Sequence, residues 1–307
     1  MKIKLFAWWT STQQITERFK KQFIGDYYSN NNVTLTCSDD YDYAIVFGYT
    51  KEHIKTDKEH TIFFFMEPSW SNNWDRQAYE KSSRVFCTSK ALFGNYDEFI
   101  EHRGYTLYGG HNDEYFDVNN ILNYQNIDKN KNTSFIVTNR GSSPLTGDHV
   151  GNIYRQRVEL AETCLKQNLP IDIYGFLWEY STFKNHSSIK GTCYTKYLAL
   201  NDYKFSIGIE NSQEHNYITE KFYDILFFNT VPVYFGAPNV KQFDDIKNMC
   251  VVFNDINDID GCINTLNNLT QDLYNEKMKH ILLHKKELFD SPEFNIWKKI
   301  LVEVGVC

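Results

Sequence analysis

The sequence predicts an α/β protein made of two successive units, each built on a mostly parallel sheet. Short apolar strands alternate with segments of helical periodicity along the 307-residue chain. A polar stretch rich in Asn and Lys at residues 117–133 interrupts this alternation and is the best candidate for a linker. The length also suits two domains, because a single domain usually contains roughly 100–200 residues.

The first unit starts with a short apolar strand and a segment of helical periodicity. Residues 12–24 place Ile15, Phe19 and Phe23 on one side of the predicted helix. Residues 1–130 are therefore assigned to an N-terminal α/β domain. Its strands are expected at residues 2–8, 33–36, 43–47, 61–66 and 84–88.

The second unit repeats the alternation after the polar stretch. Residues 131–285 form the predicted second α/β domain, and residues 286–307 a helical tail. Because ligands bind at the carboxyl ends of parallel strands, two facing sheets predict a cleft suited to a two-substrate reaction. The strands are expected at residues 134–138, 171–175, 203–209, 230–235 and 250–253, and the helices at 155–167, 219–228 and 259–269.

The composition excludes several classes of protein. A net charge of −7 does not favour nucleic-acid binding, which needs a broad basic surface. The seven cysteines are odd in number and form no C-x-x-C pair, so reduced thiols are expected rather than a zinc site. The sequence shows neither a secretory signal nor the roughly 20 consecutive apolar residues of a membrane span. We therefore expect a soluble protein, cytoplasmic or otherwise, without a membrane anchor.

The segment between residues 203 and 222 carries the strongest functional pattern. A strand ends at Ile209, a polar loop follows, and a helix begins near Thr219. The first amides of that helix and its dipole predict an anion site, to which Lys221 adds a full charge. Glu220 could accept hydrogen bonds from two ribose hydroxyls, and the loop residues Asn211 and Tyr217 add donors.

The same segment also has a purely structural interpretation. Ser212 or Asn216 could simply cap the helix, and Glu220 could be a first-turn acid that complements the helix dipole. The pattern alone does not decide between a cap and a binding site for a nucleoside diphosphate.

The whole block resembles the signature of the α1,3-fucosyltransferase family, glycosyltransferase family ten. That signature reads Y-K-F-x-x-x-x-E-N-S-x-x-x-x-Y-[IV]-T-E-K, and residues 203–221 meet every fixed position. Residues 230–238 resemble the next strand and turn of the family, and residues 134–139 resemble its first donor-domain strand. The N-terminal half is most similar to bacterial members.

The resemblance implies a set of donor-binding residues. A family arginine near the start of a helix contacts the donor diphosphate. By register this is Arg157, with Arg155 as the competitor. The motif residues Asn211, Tyr217, Glu220 and Lys221 complete the expected nucleotide and diphosphate site. Further candidates are Glu210, Ser212 and Asn139.

The resemblance also implies a catalytic base. Residues 63–69 resemble a strand that ends in the proposed basic carboxylate, which falls on Glu67. The family commonly has Glu-Asn after a glycine, whereas Met66 precedes and Pro68 follows here. A solvated strand-end carboxylate and an acceptor-binding role are the alternatives. The rival acids are Asp75, Glu80, Asp113 and Glu114.

The family further implies a fold and a reaction. The fold is two facing Rossmann-like domains of the GT-B type, with the acceptor on the N-terminal side. The reaction is inverting transfer of fucose from GDP-fucose to a hydroxyl of a glycan, in an α1,3-type linkage. No metal site and no required cofactor are expected, although a divalent metal could stimulate the reaction. The alternatives are another nucleotide-activated deoxyhexose as donor, or a catalytically silent carbohydrate-binding relative.

Overall fold

Each half of the computed structural model is organised around a wholly parallel sheet. The structure describes residues 1–21, 27–71, 80–89, 99–102, 120, 122–139, 153–290 and 296–305. The chain divides into two compact units. The first comprises Met1–Tyr108, Asp117–Asn119 and Glu287–Cys307, and the second comprises Gly109–Phe116 and Asn120–Lys286.

The first unit contains a six-stranded sheet in the order β2-β1-β3-β4-β5-β6. Strands β3 and β4 lie in its middle and are almost completely buried, as their unbroken apolar runs require. The strands are β1 (Lys2–Ala7), β2 (Thr34–Thr36), β3 (Tyr43–Phe47), β4 (Thr61–Phe64), β5 (Arg84–Cys87) and β6 (Phe99–Glu101).

Three described helices belong to this unit: α1 (Thr12–Lys20), α2 (Tyr27–Asn30) and α9 (Ile296–Glu303). Helix α1 begins with a capping box between Ser11 and Gln14. Helix α9 contributes Ile300 and Leu301 to the same core as β1 and β3, and Val304 just after the helix packs there too. The described residues 296–305 therefore lie in the first unit, whereas the sequence analysis assigns residues 286–307 to a helical tail.

The second unit contains a six-stranded sheet in the order β12-β11-β10-β7-β8-β9. Its strands are β7 (Lys131–Ile136), β8 (Ile171–Tyr174), β9 (Ile189–Gly191), β10 (Tyr203–Ile209), β11 (Val231–Phe235) and β12 (Val251–Val252). Its described helices are α3 (Tyr154–Lys166), α4 (Lys196–Leu200), α5 (Glu220–Phe227), α6 (Asp244–Lys247), α7 (Ile259–Asn267) and most of α8 (Gln271–Asp290), which ends in the first unit.

These two sheets confirm the predicted α/β fold class. In the second sheet the strand order reverses between β7 and β10, and in the first sheet it reverses between β1 and β3. Such a reversal leaves a crevice at the carboxyl ends of the two strands, which is where α/β proteins bind ligands. Among the helices that the structure describes, none is long and apolar enough to cross a bilayer.

The predicted linker at residues 117–133 is partly wrong. Strand β7 already begins at Lys131, and the side chain of Lys129 is buried. Polar composition predicts a linker here. Lys129 is buried instead, because its amine donates to backbone carbonyl oxygens of the second unit. The sequence analysis does not predict strands β6 and β9, each of which contains three residues.

Two buried amines lie at the carboxyl end of helix α5. Lys129 Nζ donates to the carbonyl oxygens of Asn201 at 2.5 Å and Phe228 at 2.6 Å. Lys285 Nζ donates to the carbonyl oxygen of Phe227 at 2.5 Å and to Asn229 Oδ1 at 2.9 Å. Burial lowers the pKa of each amine from 10.5 to about 7. Both amines therefore satisfy helix carbonyls, and each is about half protonated near pH 7.

Helix α5 packs very closely on strand β10 because residue 208 is glycine. A Cβ atom at Gly208 would lie 2.4 Å from the carbonyl oxygen of Lys221 and 3.0 Å from Ile225 Cδ1. The first of these atoms belongs to the helix backbone and cannot rotate away. The glycine therefore sets the distance between the strand and the first turn of the helix.

The free energy of unfolding should rise with pH between about 7 and 10.5. In that range the unfolded chain keeps protons on Lys129 and Lys285 that the folded chain has lost. Replacing Lys129 with Met should reduce the slope by about 1.4 kcal/mol per pH unit, which corresponds to one proton. Denaturant unfolding at several pH values measures this slope. An unchanged slope in the variant would contradict the depressed pKa.

Gly208→Ala should destabilise the second unit by about 1–3 kcal/mol, because the added methyl group overpacks the interface between β10 and α5. Thermal unfolding of the variant checks this expectation. A melting temperature equal to that of the unsubstituted protein would mean that the helix can move outward without loss.

Candidate functional site

A cavity of about 150 Å³ lies in the second unit where the order of its strands reverses. Its floor comes from β7 and β10, and its walls come from α3, α4 and α5. The apolar lining includes Ile136, Leu200 and Ile207. The charged lining groups are Arg157, Lys196, Glu220, Lys221 and Asp224. Such a concave site with a few convergent charges is suited to a polar ligand with an apolar part.

The first turn of helix α5 forms one side of this cavity. Thr219 is the N-cap, and its side chain accepts from the backbone N–H of Lys221. The structure therefore contradicts the alternative in which Ser212 or Asn216 caps the helix. Ser212 is buried and donates to Glu214 at 2.8 Å, while Asn216 pairs with the side chain of Asn239.

Glu210 connects the end of β10 to the start of α5. Its side chain is fully buried and accepts from the backbone N–H of Thr219 at 2.7 Å and from the Thr219 hydroxyl at 2.6 Å. The hydroxyl of Tyr234 lies 3.4 Å from the same carboxylate. Burial is the main reason why the pKa of Glu210 is raised to about 7, and Lys221 opposes this shift.

Lys221 lies between two carboxylates. Its Nζ atom is 2.8 Å from Glu220 Oε1 and 3.8 Å from Glu210 Oε2. Burial disfavours the ammonium ion, but Glu220 and Glu210 outweigh that effect and raise the pKa of Lys221. Burial also disfavours the Glu220 carboxylate, yet Lys221 and Lys196 lower its pKa to about 2. Glu220 is therefore ionised at neutral pH, whereas Glu210 lies close to its titration midpoint.

Arg157 enters the cavity from helix α3. It is only 7% exposed, and one guanidinium nitrogen donates to Asn211 Oδ1 at 2.7 Å. The guanidinium carbon lies 5.1 Å from the centroid of the Tyr154 ring. The Nε atom of Arg157 is buried and has no hydrogen-bond partner among the residues that the structure describes. A buried donor of this kind is rare in proteins and makes Arg157 a candidate contact for an anionic ligand.

Arg155, the alternative arginine, is exposed and does not line the cavity. The difference follows from helix geometry, because residues two apart lie on different faces. Asn139 follows strand β7, and its backbone N–H donates to Phe176 at 3.0 Å. Tyr217 is 1% exposed, and its carbonyl oxygen accepts from the hydroxyl of Tyr234 at 3.2 Å.

Two charged residues of the cavity, Lys196 and Asp224, were not predicted from the sequence. Lys196 at the start of α4 forms an ion pair with Asp224 on α5, and Asp224 is 2% exposed. Asp224 lies four residues after Glu220, so helical spacing places both on one face. That spacing was an available signal for Asp224. Nothing in the sequence connects Lys196 to the site, because the contact depends on the packing of α4.

Glu67, the predicted catalytic residue, belongs to the first unit. Strand pairing continues one residue beyond β4, since the N–H of Phe65 donates to the carbonyl oxygen of Phe86 at 2.9 Å. Glu67 follows this end of the strand and is half-buried. Among the rival acids, Glu80 is exposed, whereas Asp75, Asp113 and Glu114 lie outside the described residues.

The strand reversal of the first sheet carries an aromatic pair. Trp8 follows β1 and Tyr49 follows β3, and their rings stack with centroids 5.6 Å apart and an interplanar angle of 9°. These residues lie at the carboxyl ends of neighbouring strands, as the reversal requires.

Curated relatives of the chain are fucosyltransferases. It is 33% identical over 129 residues to "Alpha-(1,3)-fucosyltransferase B" of Drosophila melanogaster, covering 38% of this chain and 28% of that protein. It is 28% identical over 181 residues to "Alpha-(1,3)-fucosyltransferase fut-5" of Caenorhabditis elegans, covering 57% and 44%. The chain thus spans less than half the length of these two relatives.

Solved structures share the fold at low sequence identity. An α1,3-fucosyltransferase crystallised with GDP-fucose matches with a TM-score of 0.50 and 17% identity, over 95% of this chain and 90% of that chain. An α-glucosyltransferase in complex with UDP-glucose and DNA containing an abasic site matches with a TM-score of 0.59 and 11% identity, over 99% of both chains. Identities this low establish a common fold only.

A family match covers most of the second unit. The family model described as "Glycosyltransferase family 10 (fucosyltransferase) C-term" matches residues 128–285. These residues include strands β7 to β12, helix α5 and the charged cavity, and they make up just over half of the chain. The protein therefore belongs to glycosyltransferase family 10, the fucosyltransferase family.

Proposed function

We propose that this protein transfers fucose from GDP-fucose to a hydroxyl group of a glycan, with inversion and in an α1,3-type linkage. The observation that carries the proposal is the buried guanidinium of Arg157, whose Nε atom has no partner among the described residues. It lines the same cavity as Lys221, at a strand reversal typical of nucleotide-binding sheets.

The diphosphate of the donor would bind between Arg157 and Lys221. A guanidinium can donate two parallel hydrogen bonds to a phosphate, and the bond to Asn211 holds the Arg157 side chain in the cavity. The backbone amides at the start of α5 add a partial positive charge. These groups would also stabilise the charge that develops on the diphosphate as it leaves.

Glu220 would bind the ribose. Its carboxylate lines the cavity, and its pKa of about 2 keeps it ionised at neutral pH. An ionised carboxylate is an acceptor only, so it suits two neighbouring hydroxyl groups, both of which donate. Lys221 already holds one oxygen of Glu220 at 2.8 Å, which would keep this carboxylate in place as the donor enters.

Family membership supports the choice of sugar donor. The related structure described above contains GDP-fucose, and several curated relatives are named as α1,3-fucosyltransferases. The donor-site residues of the family signature are all present here, and the structure gathers Arg157, Glu220 and Lys221 in one cavity.

Glu67 would act as the base in the first unit. Its carboxylate would take the proton of the acceptor hydroxyl while the acceptor oxygen forms a bond with the anomeric carbon. The bond between that carbon and the diphosphate oxygen breaks, and its electron pair leaves with GDP. Attack from the face opposite the diphosphate inverts the anomeric centre. Because Arg157 and Lys221 supply fixed positive charge, the reaction would need no divalent metal.

A panel of nucleotides tests the donor assignment. GDP-fucose and GDP should raise the melting temperature, because a ligand that binds only the folded state stabilises it. UDP should have little effect at the same concentration. A preference for UDP would overturn the proposal, and stronger stabilisation by GDP-mannose than by GDP-fucose would indicate a different sugar.

Arg157→Ala should lower the affinity for GDP about 10- to 100-fold, since a charged hydrogen bond contributes roughly 1.5–3 kcal/mol. Arg155→Ala is the matched control, because Arg155 is exposed on the same helix. It should bind GDP as the unsubstituted protein does. Calorimetry on both variants measures the difference, after thermal unfolding has shown that both are folded. Equal affinities would remove Arg157 from the site.

Glu67→Gln should retain affinity for GDP-fucose and lose transfer by about 10²–10⁴-fold, as expected when a general base is removed. Glu80→Gln, at an exposed rival acid, is the comparison variant and should remain active. The amount of fucosylated acceptor formed per minute is the measurement. Full transfer by Glu67→Gln would assign the base to another residue.

A further inference from the structure

Glu210 is a buried carboxylate that touches the site only through other residues. We propose that Glu210 positions Thr219 and Lys221 and takes up a proton when a nucleotide-sugar diphosphate binds to Lys221. The inference rests on the proposed function for the identity of that diphosphate. It gives Glu210 a different task from the direct donor contact that the family motif suggests.

The geometry excludes direct contact between Glu210 and a ligand in this conformation. The residue is 0% exposed, and Thr219 occupies both of its carboxylate oxygens with hydrogen bonds of 2.7 and 2.6 Å. These two bonds join residues that are nine positions apart and close the loop between β10 and α5. Glu210 therefore acts on the site through the helix cap that it holds.

Glu210 has little space in which to move. A Cβ atom at Gly236 would lie 2.3 Å from Glu210 Cγ and 2.5 Å from the hydroxyl of Tyr234. The backbone at Gly236 therefore passes so close to the Glu210 side chain that no larger residue fits there. A carboxylate confined in this way cannot reach solvent to regain hydration, so a change in its surroundings must change its protonation instead.

Within the described part of the chain, the charged and titratable groups around Glu210 come from three elements. Helix α5 contributes Lys221, whose Nζ lies 3.8 Å from Glu210 Oε2, and also Glu220. Helix α3 contributes Arg157, which interacts electrostatically with Glu210. Strand β11 contributes the Tyr234 hydroxyl, 3.4 Å from Oε1. Burial and Glu220 favour the neutral carboxyl group, whereas Lys221 and the two hydrogen bonds from Thr219 favour the ionised one.

A diphosphate that enters the cavity shifts Glu210 towards its neutral form. It carries two negative charges, which repel the Glu210 carboxylate and compete with it for Lys221 and Arg157. The pKa of Glu210 is already about 7 before the ligand enters. A further rise moves the group to its neutral form at pH 7–8. The proton comes from the solvent and forms an O–H bond on Glu210, and the Thr219 hydroxyl at 2.6 Å can turn to accept it.

Calorimetry in buffers of different ionisation enthalpy counts the protons taken up. GDP-fucose is the suitable probe, because its diphosphate is esterified at both ends and does not itself titrate near neutral pH. At pH 7.5 the binding enthalpy of the unsubstituted protein should depend linearly on the buffer ionisation enthalpy, with uptake of up to one proton. The affinity should fall as pH rises above 7, by up to tenfold per pH unit.

Glu210→Gln imitates the neutral carboxyl group and should remove the buffer dependence. Its affinity for GDP-fucose should be nearly constant over the same pH range. Glu214→Gln is the matched control, since Glu214 lies in the same loop, is 5% exposed and accepts from Ser212 at 2.8 Å. That variant should retain the buffer dependence of the unsubstituted protein.

The outcomes separate this inference from the proposed function. If GDP-fucose does not bind to the unsubstituted protein, the proposed function fails. If it binds with no proton uptake, or if uptake persists in Glu210→Gln, the role of Glu210 is wrong. Should Glu210→Gln fail to fold, infrared difference spectroscopy of the unsubstituted protein decides instead. A carboxylic acid C=O band that appears when GDP-fucose binds supports the inference, and its absence overturns it.

Discussion

The second unit depends on the two hydrogen bonds between Glu210 and Thr219. They join the last residue of the strand segment to the cap of helix α5, so the direction of that helix is set by the strand before it. The first turn of α5 then presents Glu220 and Lys221 to the cavity at the strand reversal. A buried titratable group thereby serves both the fold and the site.

The pKa values of Glu210 and Glu220 differ partly because Lys221 lies closer to Glu220. Lys221 lies 2.8 Å from Glu220 but 3.8 Å from Glu210, and Lys196 acts on Glu220 as well. The carboxyl groups of Glu210, after strand β10, and Glu220, in the first turn of α5, therefore have pKa values on opposite sides of the ordinary range. Paired groups whose pKa values are driven apart are characteristic of functional sites.

The sequence was sufficient for the parts of the structure that depend on local pattern. Strand β10 has the predicted bounds, and helix α5 lies within one residue of them. The cap was not predictable, because serine, threonine and asparagine are all good caps and the loop contains each of them. The burial of Lys129 was not predictable either, since polar composition does not reveal that its amine donates to buried carbonyl oxygens. The preference for Arg157 over Arg155 came from the family register, and burial agrees with it. The ionisation of Glu210 depends on burial, which no motif encodes.

Helix α5 has little freedom at either end. Its cap is held by Glu210, its close approach to β10 is set by Gly208, and the carbonyl of its last residue accepts from Lys285. All residues from Phe222 to Phe227 are buried. Local fraying normally supplies the cheapest motions of a protein, and it is blocked here. Glu220 and Lys221 at the cavity therefore lie on a helix that can fray only by breaking these core contacts.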